Sequence, residues 1–126
     1  MAVELNHTIV ASSDKHASAE FVARILGLPA PKVFGHFVAV EVDNGVSLDF
    51  DNSNDVRSQH YAFLVADDDF DPIFDRVRAE GVKFYADPGH RIAGEINTRD
   101  NGRGFYFDGP DGHNLEVLTR PYGSGS

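Results

Sequence analysis

Apolar and polar residues alternate along this chain in short runs, and twice the alternation gives way to a helical spacing. From Val3 to Ala11 the period is two, with Leu5, His7 and Ile9 on one face and Asn6, Thr8 and Val10 on the other, which predicts a strand. Ser12-Ser13-Asp14 supplies helix-starting side chains, and Phe21, Val22, Ile25 and Leu26 then recur at helical spacing up to Gly27, placed for a left-handed cap. Pro29 and Pro31 prevent the helix from continuing. A weak strand near Val33, a strand over Phe37–Val42, the tight turn Asn44-Gly45 and a strand over Val46–Asp51 complete a βαβββ order.

The pattern then restarts. Gln59–Val65 reads as a strand, and Asp67-Asp68-Asp69 puts negative charge at a helix N-terminus, where the dipole favours it. Pro72 fits the first turn, Phe70, Ile73, Phe74 and Val77 form the buried stripe, and Gly81 ends the helix. A strand over Val82–Tyr85 and a long polar loop from Asp87 to Asn101 lead to the last hairpin. Its strands are Phe105–Phe107 and Asn114–Thr119, joined by the turn Gly109-Pro110-Asp111-Gly112. The fold class is therefore α+β, two tandem βαβββ modules within one domain spanning 1–120: module one about 3–51, a connector 52–58, and module two about 59–119. Residues 121–126 read as a flexible tail.

The halves align. Asn6-His7 matches Gln59-His60, and the run from Asn44 to Phe50 matches the run from Asp111 to Val117. The histidines lie 53 residues apart (60 − 7) and the acids Asp49 and Glu116 lie 67 apart (116 − 49); the difference of 14 is the long loop. Parity sets His7, Asp49, His60 and Glu116 on the faces opposite the large apolar residues of their strands, so if those pack under the helices the four polar residues line the other, concave face. Glu116 is also a mid-strand carboxylate between apolar neighbours, a costly place for an unpaired charge. Imidazole and carboxylate are ligands of first-row divalent ions, and two histidines with one carboxylate leave positions open for substrate.

A single strand histidine is more often a hydrogen-bonded structural residue, so the weight rests on the repeat. Asp49 divides between fourth ligand, substrate or water contact, and solvated acid. Tyr106 shares the parity of Glu116 and could meet a substrate or sit at the edge of the core. Arg91, Arg99 and Arg103, in or beside the long loop, are available to an anionic substrate. His16, His36, His90 and His113 read as surface histidines. Residues 87–101 read as a lid or pocket wall, with Gly89 and Gly94 giving hinge-like freedom.

Composition narrows the classes. The net charge is −9, which argues against nucleic acid or an anionic membrane as partner. No apolar run approaches the roughly 20 residues of a bilayer span. The strand beginning at Val3 leaves no room for a signal peptide. Cysteine is absent, excluding disulfides and thiolate chemistry, and the cytoplasm is the default address.

The motifs Leu5-Asn6-His7, Leu26-Gly27-Leu28, His60-Tyr61-Ala62-Phe63 and the run Phe105–Glu116 resemble the vicinal oxygen chelate superfamily, that of glyoxalase I, bleomycin-resistance proteins and extradiol dioxygenases. Within it the chain is most similar to the fosfomycin-resistance thiol transferases. The resemblance implies a cupped mixed β-sheet, a homodimer, a small-molecule substrate, and a divalent ion (Fe, Mn, Zn or Ni) held by His7, His60 and Glu116. In dimers of the exchanged type, His7 and Glu116 of one chain would meet His60 of the other; in single-chain sites all ligands share a subunit. Ile9 in place of a threonine, the long loop 88–103 and the acid Asp49 depart from that group and argue against fosfomycin as substrate. The implied function is a metal-dependent enzyme acting on a small oxygen-rich molecule. Lyase or thiol-transfer chemistry is preferred, with Asp49 or Tyr106 handling protons and Arg99 or Arg103 meeting an anion. The alternatives are a ring-cleaving dioxygenase or a drug-sequestering protein without catalysis.

Overall fold

The computed structural model describes residues 2–125, which form two compact units divided after Arg57. The first contains β1 (His7–Ser12), α1 (Lys15–Leu26), β2 (Lys32–Phe34), β3 (Phe37–Glu41) and β4 (Ser47–Asn52). The second contains β5 (His60–Leu64), α2 (Asp67–Ala79), β6 (Phe84–Tyr85), β7 (Gly104–Asp108) and β8 (Asn114–Leu118). Each unit is a four-stranded mixed sheet of identical topology, ordered β1-β4-β3-β2 and β5-β8-β7-β6. In both, the strand before the helix runs parallel to the last strand and all other pairs are antiparallel. The tandem βαβββ repeat is thus present in the fold.

Local chemistry explains the helix ends. The Asp14 carboxylate accepts the Ala17 N–H at 3.1 Å, and Gly27 closes α1 at φ 69°. The α2 N-cap, Ala66, offers no side-chain acceptor, and three consecutive aspartates in the first turn place negative charge at the dipole's positive end. Pro72 falls in the second turn of α2 rather than the first. Its missing N–H costs one hydrogen bond to the carbonyl of Asp68, a loss the helix absorbs because its Phe70, Ile73 and Val77 stripe is fully packed.

Two small cores result. In the first unit Val10, Val38, Val40, Leu48 and Phe50 bury one sheet face, with Ala19, Val22, Ala23 and Ile25 of α1 also buried. In the second, Phe70 and Phe74 of α2 interlock with Phe84 and Phe105. The Phe70–Phe105 and Phe74–Phe84 rings meet edge to face at 5.5 and 4.9 Å, the arrangement aromatic quadrupoles prefer.

The boundaries differ where pairing, not hydrophobicity, decides. β1 begins at His7 instead of Val3, and Leu5 remains exposed. The segment 87–101 is a fastened loop instead of a hinged one. The Asp87 carboxylate accepts the N–H groups of Arg91 and Ile92 at 2.9 and 2.8 Å, and Asn97 Nδ2 donates to Ala86 O at 2.8 Å. Three of its non-glycine residues, His90, Asp100 and Asn101, lie at positive φ. The tail is also tethered: the N–H groups of Gly123 and Gly125 donate to the Asp100 carboxylate at 3.1 and 3.0 Å, whereas Ser126 lies outside the described residues. Among the described residues no helix is long and apolar enough to cross a membrane.

Candidate functional site

In the second unit the sheet face opposite the aromatic core carries the polar side chains. Register places Ala62 beside Glu116 and Glu116 beside Tyr106, so His60 is a diagonal neighbour of the carboxylate. The two side chains meet, His60 Nε2 lying 2.9 Å from Glu116 Oε1. Glu116 is largely covered, with 13% of its side chain exposed, while His60 remains accessible. An imidazole nitrogen and a carboxylate oxygen at this separation suit neighbouring ligands of one ion, since ligand atoms at roughly 2.1 Å from a metal and about a right angle apart lie near 3 Å from each other.

Tyr106 flanks the pair. Its ring centroid is 5.8 Å from that of His60, and only 4% of the residue is exposed. Arg99 Nη1 donates to the Tyr106 hydroxyl at 2.9 Å, with the guanidinium 5.7 Å from the ring centroid. Burial pushes the phenol's pKa up, the Glu116 charge pushes it further, and Arg99 opposes both. Tyr106 is therefore a neutral hydrogen-bond donor at neutral pH.

The first unit repeats the geometry with different chemistry. Asp49 lies beside Ile9 as Glu116 lies beside Ala62, which makes His7 its diagonal neighbour on the open face. Where Tyr106 flanks Glu116, Ala39 flanks Asp49. His7 Nδ1 lies 2.7 Å from Asn6 Oδ1, and Asp49 Oδ1 accepts the Ser47 hydroxyl at 2.7 Å. The Asn6 bond fixes the His7 proton on Nδ1 and leaves Nε2 as the free donor atom, as metal-binding imidazoles require. Among the described residues no group of three or more His, Cys, Asp or Glu is gathered around a single point.

Several sequence expectations are corrected. His60 and Glu116 belong to one unit and touch within the chain. Arg103 is engaged elsewhere: it donates to Asp71 Oδ1 at 2.8 Å and Asp67 Oδ1 at 3.0 Å and covers the Phe70 ring at 4.3 Å, joining β7 to the start of α2. The bonds to Asp71 and then Asp67 hold its charge more firmly still. His113 is buried, not superficial; its Nδ1 accepts the Gln59 N–H at 3.0 Å and its ring meets Tyr61 edge to face. The repeat carried that signal, since His113 aligns with the apolar Val46. His90 is likewise packed, stacked on Tyr85 at 4.2 Å with Nε2 2.9 Å from Asn114 Oδ1. Asn114 Nδ2 donates to Pro88 O at 3.1 Å, so Asn114, opposite His60 in the register, ties the loop to this face. His16 and His36 are exposed, the latter 3.6 Å from Asp51, and Arg91 is exposed on the loop.

Comparison with known proteins adds three findings. The family model described as Glyoxalase/Bleomycin resistance protein/Dioxygenase superfamily matches residues 4–117. Glutathione transferase FosA of Serratia marcescens is 33% identical over 125 residues, covering 93% of this chain and 81% of FosA. Two solved structures are more alike in sequence. Oxidase ChaP-H1 is 64% identical with a TM-score of 0.94, covering 97% of this chain and 99% of that one. Oxidase ChaP-H2 is 60% identical with a TM-score of 0.96 over the whole of both chains.

Proposed function

We propose that this chain, which belongs to the Glyoxalase/Bleomycin resistance protein/Dioxygenase superfamily, is a divalent-metal-dependent oxidase acting on a small oxygen-rich molecule. The observation that carries the reading is the His60–Glu116 pair at 2.9 Å, flanked by the buried Tyr106 on one open sheet face. The oxidase class is supported by 64% and 60% identity to two proteins of that name over almost their full lengths. That support outweighs the sequence-based preference for lyase or thiol-transfer chemistry.

In this reading His60 and Glu116 hold the ion and His7, on the equivalent strand of a first unit, is the third ligand. A bound divalent ion supplies open positions for substrate oxygens and stabilises the negative charge that develops on them. An oxygen-and-imidazole set accepts iron, manganese, zinc or nickel; zinc has no redox change of its own, so oxidase chemistry places the other three ahead. The protein's own groups have separable tasks. Tyr106, neutral because burial and Glu116 raise its pKa, donates a hydrogen bond and does not act as a base. Asp49 is the carboxylate available to take a proton. Arg99 has N–H groups beyond the one given to Tyr106, and these suit an anionic substituent of the substrate.

The deciding experiment measures metal content after purification without chelator, then oxygen uptake with a panel of small molecules bearing adjacent oxygens. About one ion per chain and substrate-dependent oxygen uptake are expected. The 33% identity to a glutathione transferase supports a second reading, thiol transfer, which predicts glutathione consumption without oxygen uptake. Absence of metal with retained ligand binding would instead make the chain a sequestering protein.

A further inference from the structure

We propose that Arg99 is a positioning residue for the metal site, acting through Tyr106 on the carboxylate of Glu116. The inference rests on the metal reading of His60 and Glu116 and extends it to a residue in the long loop. Guanidinium nitrogens only donate, so the bond of 2.9 Å from Arg99 Nη1 obliges the Tyr106 oxygen to accept. The phenol has one proton, and it is thereby left for Glu116, which lies opposite Tyr106 in the β7–β8 register and whose carboxylate adds to the rise of the phenol's pKa. The carboxylate in turn can only accept. Donor inventory thus gives the series a single direction, Arg99 → Tyr106 → Glu116.

The consequence falls on Glu116. Its Oε1 faces His60 Nε2, and the bond from Tyr106 fixes the rotation of the carboxyl group about its last torsion, a broad and otherwise soft angle. Tyr106 can impose that orientation because it is 4% exposed and paired backbone to backbone with Glu116 across β7 and β8. Arg99 is held in place too: it opens the turn Arg99–Asn101, whose Gly102 N–H returns to Arg99 O at 2.9 Å. Partners behind metal ligands typically change metal affinity by about 10- to 100-fold.

The test uses the full-length protein with Zn(II) as probe, its affinity read by competition with a chromogenic chelator. Tyr106→Phe and Arg99→Ala are each expected to weaken Zn(II) binding by about tenfold, and the double variant to be no weaker than Tyr106→Phe alone, because Arg99 acts only through the hydroxyl. Arg99→Lys, which retains a donor, is expected to recover part of the loss. Wild-type affinity in Arg99→Ala, or losses that multiply in the double variant, would overturn the proposal. Glu116→Ala separates the two readings: if it binds Zn(II) as the parent does, the metal site itself is wrong. The series is then still read in the metal-free protein by proton NMR, as an exchange-protected Tyr106 hydroxyl resonance that Arg99→Ala abolishes; its persistence in that variant would also count against Arg99. Unchanged thermal unfolding in each variant excludes general loss of structure as the cause.

Discussion

At the scale of single residues, the common face of His60 and Glu116 was legible from the repeat and strand parity, whereas their direct contact at 2.9 Å was not. Nor were the partners of Arg103. Sequence places it in a loop region rich in cations, and only the α2 packing brings Asp67 and Asp71 to it, 36 and 32 residues earlier. Asp87 is a similar case, an acid at the start of the polar loop whose carboxylate organises it through the Arg91 and Ile92 N–H groups. Its pKa is lowered chiefly by the Ile92 N–H bond, with Arg91 N–H and the Arg91 charge adding. A lowered folded-state value means that the stabilisation is present above the ordinary carboxylate range and lost as pH falls through the folded value. The Arg91 and Ile92 amide resonances should therefore shift together on acidification, with a midpoint below that of an ordinary aspartate. In Asp87→Asn this titration should be absent, which NMR between pH 7 and 2 would establish.

At the scale of elements, both helices and the hairpins at Asn44-Gly45 and Pro110-Asp111-Gly112 were readable, because caps, prolines and turn glycines are local signals. Gly45 and Gly112 adopt φ of 85° and 82°, the conformation that those turns demand. The limits of β6, which shrink from the expected 82–85 to Phe84–Tyr85, and the internal order of 87–101 were not readable. They depend on backbone bonds to non-local partners, such as Gly94 N to Phe84 O at 2.9 Å and Asn97 N to Gly104 O at 2.8 Å. The aromatic cluster yields one firm expectation. Phe105 is fully buried and touches Phe70, Phe74, Phe84 and Phe107. Phe105→Ala should thus cost about 3–5 kcal/mol in chemical denaturation. A loss below about 1 kcal/mol would mean that the core collapses around the gap. The loop yields another. Asn114 fastens Pro88 and His90 to the open face, so Asn114→Ala should increase proteolysis within 87–94 and lower affinity for substrate-like ligands. Zn(II) binding should fall much less, since neither His60 nor Glu116 depends on that amide. Equal losses of ligand and metal would make the loop part of the metal scaffold.

At the scale of the whole molecule, the βαβββ repeat predicted the architecture correctly, yet the source of the third ligand is not written in the pattern. One terminal strand of each sheet, β1 and β5, carries an exposed apolar residue, Ile9 and Leu64, at 56% and 59%. Exposed edges with apolar side chains favour association, and a homodimer is the expected state. Sedimentation at micromolar concentration measures it directly, against the opposing repulsion of a net charge of −9 per chain. Co-expression of His7→Ala and Glu116→Ala chains under different affinity tags then asks which chain supplies His7. If it crosses to the partner, the heterodimer keeps one intact site, made of His7 from the Glu116→Ala chain with His60 and Glu116 from the His7→Ala chain. The other site loses both ligands. Purified heterodimer should then bind about half the metal of the parent dimer, while each variant homodimer binds little. If the three ligands share one chain, both sites are broken and the heterodimer binds no more than the homodimers. The outcome expected from a partner-supplied His7 is the half-occupied one, and a monomer in sedimentation would remove the question together with the exchange.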